Sequence, residues 1–315
     1  MNRVTAVSAL TPQVSIITAT WNRAHLLKRC YDSLCQQDPL PFEWIVVDDG
    51  STDNTSDILS SLAKSAPFNV RCFAQPNAGK HRAVNVAAAA ATGVLALILD
   101  SDDMLTPQAL AIVGREWSAI PEAARERYAG LVGHSIVRDG TMIGDPFPAD
   151  SERVPPLRLF HSARVRGDKL FVHRAEILRE HPFPTFFGEK FVSEGIVWDR
   201  IRASYRYRLL NEALQIVEYQ RDGLSAASLE TRVGNPVGAR AYYRQLASLD
   251  ISWSHRLRSL VNYQRFASHG GVSSAQAFAE SPSPAVSALL LPFGVLAARI
   301  DRLRLRTRRD ASGHA

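Results

Sequence analysis

The sequence predicts an α/β fold in which a mostly parallel sheet is covered by helices. Short apolar runs alternate with helical patterns from Val14 to about Ala111, and such alternation is typical of parallel strands joined by helical crossovers. Two of the apolar runs end in clusters of aspartates. From about Asp222 onward the chain changes character and becomes helical and polar, which predicts a C-terminal helical extension.

The first part of the chain contains four predicted strands, each followed by a predicted helix. The strands are Val14–Thr18, Glu43–Asp49, Val70–Ala74 and Val94–Asp100. The first three helices are Ala24–Gln36, Asp57–Ala66 and Ala83–Ala91, the third ended by Gly93, and a fourth is capped by Thr106 with Pro107 in its first turn.

Residues 127–220 are less regular. The patterns predict three further strands, one helix and one proline-rich loop in this part. The strands are Leu131–Val137, Lys169–His173 and Leu214–Tyr219, the helix is Glu194–Tyr205, and the loop is Pro146–Pro156.

Composition places the chain among ordinary globular proteins. Of its 315 residues, 46% are hydrophobic and 22% are charged, which is enough to build a sizeable core. The three cysteines show no metal or redox spacing, and this favours a reducing compartment. We find no signal peptide and no run of about eighteen apolar residues, so we expect a cytoplasmic protein without a transmembrane helix.

Three aspartates follow the apolar run that ends at Leu99. Burying Asp100, Asp102 and Asp103 without partners would be very costly, so they are expected at the mouth of the strand. Carboxylate oxygens suit a hard divalent cation such as Mg²⁺, which is often shared with substrate phosphates. Ligands of open α/β sheets bind outside the carboxyl ends of the strands. The sequence therefore predicts a site for a metal–phosphate complex at this edge.

A second strand has an acidic end. Asp48 and Asp49 close the run Trp44–Val47, and the turn Gly50–Asp53 follows. These aspartates are consistent with one crevice that is lined from two strands. An alternative is that Asp48, Asp49 and Asp53 only form a turn and cap the next helix.

Four motifs in order carry a resemblance to a known family. They are VSIITATWNR at residues 14–23, VVDDGSTDNT at 46–55, NAGKHRAVN at 77–85 and DSDD at 100–103. Over residues 12–220 the chain resembles the family 2 glycosyltransferases, inverting enzymes of the GT-A fold, a Rossmann-like sheet flanked by helices. Ala19 and Trp21 depart from the family, which more often has Pro and Tyr there, and this is expected to alter packing around the base.

The resemblance implies a role for each matched residue. Asp102 would bind the divalent metal ion, Mg²⁺ or Mn²⁺, that bridges the two phosphates of a nucleotide-sugar donor. The other matched residues would bind the donor. They are Thr18 and Asn22 along the nucleotide, Asp49 at the base with Asp48 beside it, Lys80 and His81 at the diphosphate or base, and Asp100 at the ribose or metal-bound water. Asp103 would share the role of Asp100 or that of Asp102.

The resemblance also implies a carboxylate that acts as the catalytic base for the acceptor hydroxyl. The family often has a Glu-Asp pair at the start of a helix, and the best match here is Glu194, although the second position is Gly195. One carboxylate suffices for general base catalysis. Glu189 and Asp199 are the alternatives, and Glu194 could also merely favour the N-terminus of its helix.

These roles together imply a metal-dependent inverting glycosyltransferase. Its catalytic domain would span residues 1–224, with a nucleotide-sugar half at about 12–110 and an acceptor half at about 127–220, before a helical extension at 225–315. The donor would be a UDP-sugar by family habit, and the acceptor a glycan or lipid-linked glycan in surface polysaccharide biosynthesis. Two alternatives are a sugar-1-phosphate nucleotidyltransferase, whose glycine- and arginine-rich phosphate loop is not seen, and a catalytically silent scaffold at the membrane surface.

The net charge of +6 is concentrated at the C-terminus. Six arginines lie among the last seventeen residues, after an apolar stretch at 285–300 that is interrupted by Pro292 and Gly294. This pattern predicts an interfacial anchor at 285–309 on an anionic membrane surface, and hence a peripheral position on the inner face of the membrane. A packed helix with a basic end is the alternative. Nucleic acid is disfavoured, because no binding module or aromatic platform accompanies the arginines. The arginines are Arg299, Arg302, Arg304, Arg306, Arg308 and Arg309.

Overall fold

The computed structural model describes residues 13–37, 40–161, 165–218 and 228–312. Within these ranges eight strands form one sheet. The strands are β1 Val14–Thr20, β2 Phe42–Asp48, β3 Asn69–Ala74, β4 Leu95–Ile98, β5 Met104–Leu105, β6 Tyr128–Ile136, β7 Lys169–Arg174 and β8 Arg206–Ile216.

The helices of the described chain fall into two groups, one among the strands and one after them. The first group is α1 Ala24–Cys35, α2 Thr55–Ser65, α3 Lys80–Ala90, α4 Ala109–Ser118, α5 Glu122–Arg125, α6 Pro156–Phe160, α7 Ala175–Glu180 and α8 Gly195–Ser204. The C-terminal group is α9 Ser228–Gly234, α10 Pro236–Ser248, α11 Trp253–His269, α12 Ser274–Ala279 and α13 Pro284–Ser312.

The sheet is parallel in its first half and mixed beyond it. Its strand order is β3-β2-β1-β4-β7-β6-β8-β5. Strands β3, β2, β1 and β4 run parallel, and β7 pairs antiparallel with both β4 and β6. Strand β8 is parallel to β6 and antiparallel to β5. The carboxyl ends of β1, β2 and β4 therefore meet at one edge, as the predicted crevice requires.

Helices cover both faces of the sheet. Successive residues of β1 enter different buried clusters, Ile16 with α1, α2 and α4, and Ile17 with α3, α7 and α8. This alternation is the two-residue period of a strand whose two faces are both buried. The apolar runs of β1, β2 and β4 therefore form the centre of the molecule and fix the edge at which the aspartates lie.

Thr106 and Gly93 do not have the helix-end roles that the sequence predicts. Thr106 donates its backbone N–H to the carbonyl of Leu214 at 3.0 Å and its hydroxyl to the carbonyl of Ala213 at 2.8 Å, because it continues the pairing of β5 with β8. Helix α4 begins at Ala109. Helix α3 ends at Ala90, and a Cβ on Gly93 would lie 2.7 Å from the backbone nitrogen of Ser15. Gly93 thus permits a close approach to β1.

The prediction of a strand at Leu214–Tyr219 is wrong at its start, since β8 begins eight residues earlier. Its N-terminal part is rich in charged residues, which obscured the strand pattern. The structure pairs one of them, Arg208, with Glu152 at 2.8 Å and with Glu116 at 3.4 Å. Tyr219 lies outside the described residues.

The C-terminal helices pack on the part of the chain that contains the sheet and on each other. Gln245 of α10 donates to the carbonyl of Ile196 in α8 at 2.8 Å, and α13 lies along α11. The expected interruption of the apolar stretch at Pro292 and Gly294 is not seen, because α13 is continuous over 29 residues. A Cβ on Gly294 would collide with Gln264 of α11, so this glycine allows the two helices to touch.

One described helix contradicts the expectation that no segment is long and apolar enough to span a membrane. By length and composition alone, Pro284–Thr307 of α13 meets that requirement. The backbone of α13 is described to Ser312, but the side chains of Arg308 and Arg309 lie outside the described residues.

Candidate active site

The acidic cluster lies where the chain leaves the sheet after β4. The last sheet-like hydrogen bond runs from the N–H of Leu99 to the carbonyl of Ile17 at 2.9 Å. Asp100, Asp102 and Asp103 follow in a tight turn, and their carboxylate oxygens lie within 4.8 Å of one another. An all-oxygen set of this size fits a hard divalent cation.

The crowding of these carboxylates changes their acidity. Burial, together with the charges of Asp100 and Asp102, raises the pKa of Asp103 to about 8. Burial and the charge of Asp100 also raise the pKa of Asp102. Gln215 of β8 donates a side-chain amide N–H to Asp103 and so holds that carboxylate beside β8. Bringing a cation to this cluster would relieve the repulsion among its charges.

Lys80 links the acidic cluster to the predicted base. It begins α3, and its Nζ lies 2.6 Å from Asp100 and 2.8 Å from Glu194. Burial opposes the charge of Lys80, but the two carboxylates outweigh it and raise its pKa above its ordinary value. The three side chains therefore form a charged row that joins the end of β4 to the start of α8.

Of the three carboxylates considered as base, only Glu194 lies in this row. Its side chain is 42% exposed, and its second oxygen accepts a hydrogen bond from Trp198 at 3.4 Å. Glu189 is buried and accepts hydrogen bonds from the N–H groups of Val237 and Gly238 at 2.6 and 2.7 Å. Its carboxylate thus stabilises the N-terminus of α10.

Asp199 is equally engaged in structure. It is fully buried and pairs with Arg202 at 2.9 Å and with His161 at 3.0 Å. These contacts leave Glu194 as the candidate that combines exposure with a position beside Lys80.

Tyr242 of α10 explains the missing second carboxylate of the Glu-Asp pair. A Cβ on Gly195 would lie 2.8 Å from the hydroxyl oxygen of Tyr242. The tyrosine therefore occupies the space into which a side chain at position 195 would extend. Sequence reasoning missed Tyr242, because it comes from a helix 47 residues further along the chain and belongs to no motif.

The aspartates after β2 organise loops. Asp48 accepts hydrogen bonds from the N–H and hydroxyl of Ser51 at 2.9 and 2.6 Å. Asp53 accepts from the N–H of Ala24 at 3.3 Å and from that of Thr55 at 3.0 Å. Asp48 thus forms the turn, and Asp53 supports the starts of α1 and α2.

Asp49 holds the segment that precedes Lys80. It is buried, and its two oxygens accept from Gln75 at 2.6 Å and from the N–H groups of Ala78 and Gly79 at 2.9 and 2.8 Å. Gly79 has φ of 101°, and a Cβ there would collide with the carbonyl of Lys190. The start of α3 is thus pressed against the segment that leads to Glu194.

The remaining predicted donor residues have different environments. Thr18 is fully buried, donating its hydroxyl to the carbonyl of Leu99 at 2.8 Å and accepting from Trp44 at 2.9 Å. Its side chain supports β4 from inside, and its position along the nucleotide stays a prediction. Asn22, at φ of 52°, accepts from the N–H of Thr52 at 2.7 Å. Burial and Arg82 lower the pKa of His81, which keeps its ring neutral.

Comparison with known proteins assigns part of the chain that contains these residues to a protein family. Residues 15–135 match the sequence model described as Glycosyl transferase family 2. Residues 15–135 are therefore a glycosyltransferase family 2 domain. Both the family and the type of protein expected from the motifs, a transferase, are confirmed.

The curated relatives of this glycosyltransferase domain match only parts of the chain. A GalNAc(5)-diNAcBac-PP-undecaprenol beta-1,3-glucosyltransferase of Campylobacter jejuni is 28% identical over 198 residues, which are 59% of each chain. Chondroitin synthase of Pasteurella multocida is 38% identical over 106 residues, 34% of this chain and 11% of the synthase. An uncharacterised glycosyltransferase of Nostoc is 38% identical over 98 residues, 31% of this chain and 30% of that protein. The chain thus spans from about a tenth to three fifths of the length of these relatives.

Solved structures confirm the GT-A fold of the glycosyltransferase. TarS 1-349 of S. aureus matches with a TM-score of 0.59 at 16% identity, covering 94% of this chain and 91% of that one. The mannosyltransferase PcManGT of Pyrobaculum calidifontis, solved with GDP-Man and Mn²⁺, matches with a TM-score of 0.53 at 20% identity, covering 93% and 88%.

The family 2 domain of this glycosyltransferase contains only one side of the candidate site. Asp100, Asp102, Asp103 and Lys80 lie within residues 15–135. Glu194 and the other contributors described above, Gln215 and Tyr242, come from later elements. The matched domain therefore supplies the acidic edge, and the rest of the chain supplies what faces it.

Proposed function

We propose that this chain transfers a sugar from a nucleotide-diphosphate sugar to a glycan or lipid-linked glycan, with inversion at the anomeric carbon. The observation that carries the proposal is the position of Lys80 between Asp100 and Glu194, at 2.6 and 2.8 Å. This contact places a donor-type acidic cluster and an exposed carboxylate at opposite ends of one short row of charges.

The donor is assigned to the acidic edge. Asp102, with Asp100 and Asp103 beside it, would hold a divalent ion, Mg²⁺ or Mn²⁺, which when bound stabilises the negative charge of the leaving diphosphate. Lys80 supplies a second positive charge on the same side. TarS 1-349 has been solved with UDP-GlcNAc and PcManGT with GDP-Man and Mn²⁺, and both support a nucleotide-sugar donor. We take UDP as the first nucleotide to test.

The nucleotide itself is assigned to the loops after β1 and β2. Asn22 and Asp48 fix the turn at 51–53, and Asp49 positions the backbone before Lys80 and His81. In this proposal Asn22, Asp49 and His81 contact the nucleotide, and Asp48 acts by shaping the turn. Thr18 supports the strand end from the interior.

Glu194 is assigned as the general base. Its carboxylate would take the proton of the acceptor hydroxyl as the hydroxyl oxygen attacks the anomeric carbon. The bond between that carbon and the diphosphate oxygen breaks, and the electron pair leaves with the nucleotide diphosphate. Lys80 would lie close to both the leaving diphosphate and the general base, because it already contacts Asp100 and Glu194.

The acceptor and the location are proposed together. The name of the Campylobacter relative specifies an undecaprenol-linked glycan. This supports a lipid-linked acceptor for this chain and a role in surface polysaccharide biosynthesis. Such an acceptor would be met at the inner face of the cytoplasmic membrane by a peripheral enzyme.

A donor screen tests the proposal. UDP-, GDP- and dTDP-sugars are added with Mn²⁺ or Mg²⁺, and both the melting temperature and donor hydrolysis are measured. We expect one nucleotide to raise the melting temperature only with metal, and Asp102→Asn to abolish this response. The matched control is Asp139→Asn, an exposed aspartate in a turn after β6. A folded wild-type protein that responds to none of these donors would contradict the proposal and favour a silent scaffold.

A further inference from the structure

Helix α13 carries an apolar stripe that the catalytic proposal does not use. Five large side chains of the stripe are exposed, by 75%, 61%, 56%, 39% and 63% in chain order. Their spacing of four, three, four and three residues places them within an arc of about 80° on an α-helix. They are Leu289, Phe293, Leu296, Ile300 and Leu303.

The opposite face of α13 is fixed to α11. Gln264 donates to the hydroxyl of Ser287 at 2.5 Å near the start of the helix. Asp301, fully buried, accepts two hydrogen bonds from the Arg265 guanidinium, each at 2.6 Å, and lies 2.9 Å from His269. Since these contacts lie on the far side of the helix, the stripe must point away from the protein.

Arginines border the stripe on both sides. At 100° per residue, Arg299 and Arg306 lie along one border of the stripe and Arg304 along the other, and all three are exposed. No acidic residue occurs between 281 and 300, and Asp301 faces α11. An apolar face edged by cations is the pattern of a helix that lies in the plane of a membrane surface.

We propose that this stripe docks on an anionic lipid surface, with its apolar side chains at the boundary of the acyl chains and its arginines at the head groups. Anionic head groups attract each nearby arginine, and burial of the five apolar side chains adds to the binding. Docking in this way also holds the rest of the chain at the lipid surface, independently of whether the catalytic proposal is correct.

A second copy of the chain fits the stripe less well. The same spacing would make a two-stranded coiled coil, in which the flanking positions of one helix meet those of the other. The arginines at these positions would then lie opposite residues that include no carboxylate. A membrane-spanning orientation is also disfavoured, because it would require α13 to leave the buried pairing of Asp301 with Arg265.

Vesicle sedimentation with the full chain tests the contribution of the apolar side chains to lipid binding. We expect the protein to pellet with phosphatidylcholine vesicles that contain phosphatidylglycerol, and Phe293→Glu to weaken this binding about tenfold or more. Trp253→Glu is the matched control, since Trp253 is 57% exposed on α11 outside the stripe, and it should bind like the wild type.

The charged part is tested by a triple variant. Replacing Arg299, Arg304 and Arg306 with glutamine should weaken binding to the anionic vesicles and flatten its dependence on salt. A control triple that replaces the exposed Arg115, Arg158 and Arg166 loses the same net charge elsewhere and should retain binding. Pure phosphatidylcholine vesicles should pellet little of any variant.

Three results would overturn the inference. One is a Phe293→Glu variant that pellets as well as the wild type. Another is a concentration-dependent dimer in solution that Phe293→Glu dissociates, which would assign the stripe to a second copy. The third is a protein that alkaline washing cannot extract from vesicles, which would indicate a spanning helix. Donor hydrolysis measured without vesicles reports on the catalytic proposal separately and should be unchanged in Phe293→Glu.

Discussion

At the scale of single residues, environment separates carboxylates that the sequence leaves equivalent. Glu189, Glu194 and Asp199 lie within eleven residues, yet the first stabilises a helix start, the third is buried in ion pairs, and only Glu194 faces Lys80. The family resemblance could suggest Glu194 because it is the first residue of a predicted helix. It could not exclude the others, since Glu189 binds the start of α10 and Asp199 pairs with His161, which follows α6.

The first prediction concerns Glu194. Glu194→Gln should lower the transfer rate by about 10²- to 10⁴-fold, because a positioned general base contributes a factor of that size. Donor affinity should change only a few-fold, since the amide keeps the shape of the side chain. Transfer kinetics and nucleotide binding by calorimetry measure the two effects. Exposed Glu180, replaced by Gln, is the control, and full activity in Glu194→Gln would remove it as the base.

The second prediction concerns Gly195. Restoring the family pair with Gly195→Asp should destabilise the fold by about 1–3 kcal/mol, the usual cost of overpacking, because its Cβ meets the hydroxyl of Tyr242. The double variant Gly195→Asp with Tyr242→Ala should lose less free energy of unfolding than the sum of the losses in the two single variants. Urea unfolding of the four proteins measures the coupling. Strict additivity would show that the contact does not limit position 195.

At the scale of elements, the sequence predicts those strands and helices whose residues follow a local pattern. The strands β1 to β4 and helices α1 to α3 are recovered because apolar residues recur in each with the spacing of a strand or a helix. The start of β8 is missed, since its charged side chains are paired by residues that come from distant parts of the chain. Thr106 is misassigned for the same kind of reason, because a contact with β8 outweighs its preference for a helix cap.

The third prediction concerns the start of α10. Glu189→Gln should weaken that helix by about 1 kcal/mol, because an amide offers one accepting oxygen in place of the two that now accept from Val237 and Gly238, and loses a charge that favours a helix N-terminus. Hydrogen exchange should accelerate at these two amides. Unchanged exchange, with Glu180→Gln as the reference, would show that the cap is not needed.

At the scale of the whole molecule, the two sides of the candidate site differ in how far they could be predicted. The donor side is made of contiguous motifs, so its residues could be named from the sequence. The rest of the site comes from later elements: Glu194 contacts Lys80, Gln215 donates to Asp103, and Tyr242 lies beside Gly195. Only long-range packing brings them together, and no local pattern records it.

The fourth prediction concerns stability at acid pH. His173 is buried and stacked on Trp198 with ring centroids 4.7 Å apart, and burial lowers its pKa to about 3. In the unfolded chain, His173 becomes protonated below about pH 6.5, whereas in the native protein its ring stays neutral until about pH 3. This contribution to stability is therefore complete above pH 6.5 and falls by about 1.4 kcal/mol per pH unit below it.

His173→Phe should remove this component of the pH dependence. Urea unfolding of both proteins at pH 7, 6 and 5 measures it, and the difference in unfolding free energy between them should change steadily below pH 6.5. A constant difference would show that the ring gains a proton in the native state.

The cap that Glu189 provides to α10 also sets an order of events during synthesis. Domains generally form from the N-terminus as the chain emerges from the ribosome. All three aspartates of the acidic edge have emerged once β4 and its turn are synthesised, whereas the segment that carries Glu194 is anchored only after Val237, Gly238 and Tyr242 follow. A nascent chain would therefore contain all the aspartates of the acidic edge well before the carboxylate that faces them is held in place.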